Sequence, residues 1–469
     1  MGYKSEKTYG IILNWIIMKK GDYSMQRRNW RGWLAGGVLL TALLTGCSVR
    51  SVEEMYALPR QSDAYYDLQN AMDQVLPAGA SYSGPTSGSN QQAVQLADLD
   101  GDGQEEALVF VKTSGERPLK IYLFDRTGSS YENVAVIEGD GSAFDAVEYA
   151  QLDDQPGMEI VVGRQLSDQI LQSVCAYCYK DGHVVELASA SCSEFRVVDL
   201  DSDEKKELFV LRMETENRAG VAELYRYRNG VLEREQQASL SNGANQIKRI
   251  VSGYVAQGIP AVFVASSYEA DTIITDIFAL VGNSFRNIAT EGQSGLSAQT
   301  VRSYQVYATD INSDGIMELP MPVALPSASA EGETFWTIDW YCLGPEGARQ
   351  VKMTTFHNYA ASWYVVLPQS WGGQLSISRE KSVSGVSAYS FCRWYGYDRE
   401  PEEIFIIYAF TGEDRLSLAQ EDGRFLLAEK GETAYSAELG SCAWAKKLTQ
   451  EDLCAMFHFI YQDWNSGET

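Results

Sequence analysis

Three short acidic loops, each running straight into an apolar stretch, constrain this chain more than any other feature. They read DLDGDGQEE at 98–106, DLDSDEKKE at 199–207 and DINSDGIME at 310–318. Oxygen-bearing side chains recur at alternate positions, so a tight turn can wrap several hard ligands around one Ca²⁺ ion. The continuations are ALVFV at 107–111, LFVL at 208–211 and LPMPV at 319–323. An EF-hand loop would carry Glu at its twelfth position and continue as a helix. Here the twelfth positions are Val109, Val210 and Met321. The loops are therefore turns that feed the strands of a repeated β unit. The candidate metal ligands are Asp98, Asp100, Asp102, Gln104 (through its main-chain oxygen) and Glu106 in the first. In the loop at 199 they are Asp199, Asp201, Asp203, Lys205 and Glu207, and in the loop at 310 Asp310, Asn312, Asp314, Ile316 and Glu318. Glu204 stands where a turn glycine is expected, which strains that loop if a positive φ is needed. The expected order of affinity is the loop at 98, then 310, then 199.

Two weaker copies fill the gaps. QLDDQPGME at 151–159 keeps Asp153 and Glu159 but has Gln151 and Gln155 in place of acids, and the stretch from Gly253 keeps only a turn and a strand. These two are expected to hold metal weakly or not at all. Loop starts fall near 98, 151, 199, 253 and 310, and a steady period of about 50 residues signals a solenoid or a propeller. Each unit has a second half in which an aromatic strand leads into a Gly or Asn turn, as in ELYRYRNG at 223–230 and VCAYCYKDG at 174–182. Those are hairpin signals, and about four strands per unit fits a propeller blade.

These loops resemble the FG-GAP/VCBS repeat, a β-propeller blade with a Ca²⁺-binding Asp-rich turn. From about residue 43 the chain resembles VCBS-repeat lipoproteins of gut Firmicutes. Matching stretches are Ser83–Asn90, Ile137–Ser142, Thr355–Asn358 and Phe457–Trp464. The resemblance implies fold and location, not an activity. One departure is Glu at the ninth loop position, where the repeat usually carries Asp.

Residues 25–46 read as a lipoprotein signal peptide leading to Cys47: basic RRNWR, apolar GGVLLTALL, then Leu44-Thr-Gly-Cys47. The apolar part is too short to span a membrane. The last four residues resemble the bacterial lipobox, in which cysteine becomes the lipidated terminus after cleavage. Cys47 is thus the expected lipidation site, and the protein is expected on the outer face of the cytoplasmic membrane. A signal starting at Met25 would be complete. Lys19–Asp22 can be encoded by purine-rich codons like a ribosome-binding site, so translation is expected to start at Met25. The alternative is an N-terminal extension supported by the apolar stretch Ile11–Met18. Residues 1–46 carry seven basic and two acidic residues, so their removal takes the net charge from −25 to −30. Such a surface repels nucleic acid and anionic lipid, leaving the acyl anchor as the membrane contact.

The expected fold is mainly β. After the 1–46 leader, residues 47–95 form a tether and a short helix. A β-propeller-like repeat body of about five recognisable blade units covers 96–360. A small α+β C-terminal domain covers 361–469. The short helix is read from Ser62 to Leu76, with Tyr65, Leu68, Met72 and Val75 as its apolar stripe. A closing helix is read from a Thr449 cap, with Leu453, Phe457, Ile460, Tyr461 and Trp464 on one face.

No catalytic constellation stands out. There are three histidines, His183, His357 and His458, and no nucleophile elbow, P-loop or His-Glu-x-x-His. His357 lies at the expected domain junction, a favoured place for ligands. Cys175 and Cys178 have metal-like spacing, but residues three apart in a strand face opposite ways, so both are read as buried structural cysteines. Trp336, Trp340, Trp363, Trp371, Trp394, Tyr395 and Tyr397 form a candidate carbohydrate or peptide platform, with half or more of them in the core. The reading is a lipid-anchored binding or scaffold protein with structural Ca²⁺ and a protein or carbohydrate ligand. Two alternatives are a cell-envelope hydrolase using paired carboxylates and an accessory subunit of a transporter or envelope complex. Whether the protein is an enzyme stays open.

Overall fold

The computed structural model describes residues 63–461, apart from 129, 167–171, 217–218, 270, 293, 328–332 and 381–384. The leader, Met25, Cys47, the Ser62 cap and Trp464 lie outside the described residues.

The described residues are mainly β and fold into six antiparallel sheets in sequence order. The first contains β1 (Ser81–Tyr82), β2 (Val94–Ala97), β3 (Glu106–Lys112), β4 (Leu119–Thr127) and β5 (Ser130–Gly139). The second contains β6 (Ala143–Ala150), β7 (Glu159–Gln165), β8 (Gln172–Lys180) and β9 (His183–Cys192). The third contains β10 (Glu194–Val198), β11 (Glu207–Arg212), β12 (Val221–Arg228) and β13 (Val231–Ser239). The fourth contains β14 (Ile247–Ala256), β15 (Ile259–Ser267), β16 (Ile273–Val281) and β17 (Ser284–Asn287). The fifth begins with β18 (Leu319–Ala324), β19 (Trp336–Leu343), β20 (Arg349–Asn358) and β21 (Trp363–Leu367). The sixth holds β22 (Leu375–Arg379), β23 (Val386–Arg393), β24 (Glu402–Thr411), β25 (Phe425–Lys430) and β26 (Thr433–Leu439). A last short strand, β27 (Phe457–Phe459), returns to pair with β21 in the fifth sheet.

The apolar runs after the loops at 98, 151 and 199 are β3, β7 and β11, inner strands buried on both faces, whereas the run after the loop at 310 is the edge strand β18, buried only at its start. Side chains alternate faces along a strand. In β3, Leu108 and Phe110 pack toward the second sheet, where Phe110 meets Phe144 edge-on at 5.1 Å. Ala107, Val109 and Val111 face the helix α1 (Asp63–Val75) through its Met72. The same division recurs down the chain. Val161 and Val174 pack with Phe195 and Leu208 between the second and third sheets. Phe209 meets Phe278 and Phe285 between the third and fourth. Phe263 and Ile277 pack with Leu319 and Tyr341 between the fourth and fifth. Cys175 and Cys178 point into different cores on opposite faces of the second sheet, and no disulfide joins the described cysteines.

The tight hairpins have the chemistry their geometry needs. Asp181-Gly182 and Asn229-Gly230 connect β8–β9 and β12–β13, with φ of 51° and 77° in one and 52° and 92° in the other. Two consecutive positive φ values are the mark of the type I′ turn that suits twisted hairpins.

Three expectations change. On α1, Leu68 and Met72 of the expected stripe contact the first sheet, but Val75 is exposed and Leu76, just past the helix end, packs in its place. The closing helix, α3 (Gln450–Met456), has its Thr449–Asp452 capping box but stops early. Its expected stripe is overridden because 457–459 pair with β21, burying Phe457 between Trp363 and Tyr435 and leaving Tyr461 exposed. The segment after 360 is itself mainly strand, with only α3 and the one-turn α2 (Arg415–Leu418) as α-helices there among the described residues. Strand pairing also runs across residue 360. β21 and β27 extend the fifth sheet, and Trp363, Val365, Phe391, Phe405 and Tyr435 share one core with Phe356. Residues from Asp63 onward group as one compact unit.

Candidate metal centre

The acidic loops all occupy one position in the topology. Each connects the first and second strands of its sheet: β2 to β3, β6 to β7, β10 to β11, and, through the Thr309–Glu318 bridge, the segment before β18. In the fourth sheet the loop is reduced to a turn at Gln257-Gly258, because Ala256 pairs directly with Ile259.

The first aspartate organises each full loop. Asp98 accepts from the backbone N–H of Gly101 (2.8 Å) and Gly103 (3.1 Å). Asp199 accepts from Ser202 (2.6 Å) and Glu204 (3.1 Å), and Asp310 from Asp314 (3.1 Å) and Gly315 (2.8 Å). The next two side chains step along the turn. Asp100 accepts from Asp102 and Asp102 from Gln104, and Asp201, Asp203, Asn312 and Asp314 repeat the pattern with the N–H of Asp203, Lys205, Asp314 and Ile316. Glu204 does adopt a positive φ, 75°, where the other full loops have Gly103 and Gly315 at 85°. The left-handed region costs a non-glycine residue about 1–2 kcal/mol.

The glutamate that ends each loop is buried. Glu106, Glu159, Glu207 and Glu318 each turn Oε2 back to accept the N–H seven residues earlier. The donors are Leu99, Leu152, Leu200 and Ile311, at 2.6, 2.6, 2.7 and 3.2 Å. Burial pushes all four carboxyls up to about 7. The backbone hydrogen bond opposes this in each, the nearby Asp100, Asp125 and Asp102 add to it at Glu106, and Arg226 opposes it at Glu207. The other oxygen, Oε1, is buried without a hydrogen-bond partner in Glu106 and in Glu318. A buried acceptor left unmade is expensive.

The loops differ in what stands across the sheet from this glutamate. One step beyond the pair Ala107–Phe124 lies Asp125, which accepts from Tyr179 Oη at 2.9 Å. In the third sheet the equivalent residue is Arg226, whose Nε lies 3.3 Å from Glu207 and whose Nη2 lies 2.6 Å from Asp201. The second and fifth sheets have Cys178 and Cys342 there. Ligand oxygens of Asp98, Asp100 and Glu106 lie within 4.8 Å of one another. Those of Asp199, Asp201 and Asp203 do too, without Glu207. These are the two such groups among the described residues. In the second loop the Gln151 amide points inward and donates to the carbonyls of Asp153 (3.1 Å) and Gln155.

The first loop therefore fits a hard divalent cation. It offers convergent carboxylates, an orphaned buried oxygen and, among the described residues, no basic side chain paired with them. The fifth keeps the orphaned Glu318 oxygen with fewer charges. Asp125 and Arg226 were missed in sequence, although each lies nineteen residues after its loop glutamate. Strand register makes that offset meaningful, and the repeat spacing carried it.

Neighbouring loops interlock. Lys206 N–H donates to Gln151 O (2.8 Å), Met317 N–H to Tyr254 O (2.9 Å), and Lys205 pairs with Asp154. A Cβ on Gly157 would sit 2.3 Å from Leu99 O, so the first and second loops touch backbone to backbone.

A second feature is a cavity of about 320 Å³ between the fifth and sixth sheets. Phe335, Trp336, Tyr359, Tyr389, Arg379 and Glu333 are among its lining. His357 also reaches it. Its Nε2 is 2.8 Å from Thr355 Oγ1, it stacks on Tyr364, and burial lowers its pKa to about 3. Of the candidate platform, Trp340, Trp363 and Trp371 are core, while Trp336 and Tyr397 are exposed.

The chain matches no protein-family model and no curated protein. Among the described residues no helix is long and apolar enough to cross a membrane.

Proposed function

We propose that this chain is a lipid-anchored extracytoplasmic binding or scaffold protein, with a β-propeller body of FG-GAP/VCBS type stiffened by Ca²⁺ in its acidic loops. The observation that carries the metal part is the first loop, where Asp98, Asp100 and Glu106 converge and Glu106 Oε1 is buried unpartnered. Asp98, Asp100, Asp102 and Glu106, with the main-chain oxygen of Gln104, would hold the ion. Bound there, it supplies positive charge beside a buried carboxylate and locks a turn that packs on its neighbour through Gly157. The serial packing of consecutive sheets supports a propeller, and the loops then lie along one side of its blades.

Anchoring rests on the lipobox-like Leu44–Cys47 and the leader before it. The aromatic cavity favours the binding reading. Trp336 offers a partly exposed ring face, and Arg379 and Glu333 supply polar groups beside it, which is what a sugar ring needs. Among the described residues Glu333 is the one carboxylate lining the cavity, whereas glycoside hydrolysis uses a pair.

The test is fractionation of cells expressing the wild-type chain and Cys47→Ala, with melting in Ca²⁺ and in chelator. Wild type should be membrane-retained and Cys47→Ala released or unprocessed, and both should melt higher in Ca²⁺. Equal retention of the two removes the anchor, and superimposed melting curves remove the metal.

A further inference from the structure

The third loop satisfies the sequence pattern for a metal, yet its interior is already occupied. Arg226 comes up from β12 beneath the turn and is only 8% exposed. Its guanidinium meets Asp201 at 2.6 Å, Glu207 at 3.3 Å and Glu235 at 3.4 Å. Asp201 and Glu207 match Asp100 and Glu106 of the first loop, position for position. There, the same two carboxylates face Asp125 instead, and Glu106 keeps an orphaned oxygen. A guanidinium carries five N–H donors in a rigid plane and does not lose its proton in proteins.

We propose that Arg226 is the resident cation of the third loop, which therefore needs no divalent ion to fold. Glu207 Oε1 is satisfied by Arg226 Nε rather than by a metal. A second positive charge among Asp201, Asp203 and Glu207 would meet the guanidinium's repulsion. The strained Glu204 fits a loop held by an internal partner. The inference rests on the reading of these turns as divalent-cation loops, and it changes the stoichiometry: the first and fifth loops bind and the third does not.

Calorimetric titration with CaCl₂ on the full chain tests it. Asp201→Asn alone should leave the wild-type isotherm unchanged, because the third loop contributes no site. Arg226→Gln should add one equivalent of Ca²⁺ binding that Asp201→Asn then removes, and should make denaturation more Ca²⁺-dependent than in wild type. Arg226→Lys, which keeps the charge, should add none. If Asp201→Asn deletes a site from the wild-type isotherm, the third loop binds metal and the proposal is overturned. The same follows if Arg226→Gln folds and gains no Ca²⁺. Should Arg226→Gln fail to fold, the Asp201→Asn comparison still decides. Loss of Ca²⁺ binding at the first loop would show separately, as a wild-type isotherm unaffected by Asp98→Asn.

Discussion

Replacing Glu106 with Gln should have opposite effects with and without Ca²⁺. Glu106 is fully buried, and burial raises its carboxyl from 4.5 to about 7. Its folded state therefore binds a proton more tightly than its unfolded state. Stability falls as pH rises from about 4.5 to about 7 and stays reduced above that. The full cost of the ionised form is about 3 kcal/mol, taken as a ceiling. Glutamine has nearly the same shape, keeps an oxygen for the Leu99 N–H, and places an amide donor near the oxygens of Asp98 and Asp100. In chelator at about pH 8, Glu106→Gln should therefore be more stable than wild type by about 1–3 kcal/mol. The advantage should vanish well below pH 4.5, where the carboxyl is protonated in both states. With Ca²⁺ in thousandfold excess over its dissociation constant, wild type gains about 4.1 kcal/mol. The variant has lost a ligand and gains little, so the order of stabilities reverses. Urea unfolding followed by tryptophan fluorescence, at two pH values and with or without Ca²⁺, reads all four conditions. A Glu106→Gln protein less stable than wild type in chelator at about pH 8 would refute the reasoning, since the carboxylate would then be making native interactions that burial does not outweigh.

Other outcomes follow from the packing. Truncation after residue 360 removes β21 and β27 and uncovers Phe356, so the shortened chain should be insoluble or bind hydrophobic dyes. Each large buried side chain stripped of its partners forfeits about 1.5–3 kcal/mol. A soluble truncation with a wild-type melting profile would show that the fifth sheet stands without them. His357, held neutral by burial with its pKa lowered to about 3, costs stability as pH falls from 6.5 toward 3, because the unfolded chain takes up the proton first. His357→Gln should flatten the acid limb of stability relative to wild type by up to about 5 kcal/mol. Parallel pH profiles for the two proteins would contradict that.

The strands were legible because both periods were written into the chain. The acidic turn set where each second strand begins, and alternation set its faces. The hairpins were legible from Asp-Gly and Asn-Gly. What failed were decisions made by tertiary contact. The 449–464 stripe has helical spacing, yet a free edge on β21 captured 457–459 as a strand. At the end of α1 the neighbouring sheet selected Leu76, just past the helix, over Val75. At the candidate centre the turn residues were readable, but the electrostatics were not. Asp125 and Arg226 sit in a different strand from the loops they govern, and only the pairing register brings them together.

The most direct measurement is Ca²⁺ titration by calorimetry of the chelator-stripped chain at about pH 8, where the raised carboxyl of Glu106 is ionised, with Asp98→Asn/Asp100→Asn beside it. Wild type should give saturable binding, and the double variant should lose the tighter component. No binding heat in wild type, with identical melting in Ca²⁺ and chelator, would contradict the claim and leave the loops as solvated turns.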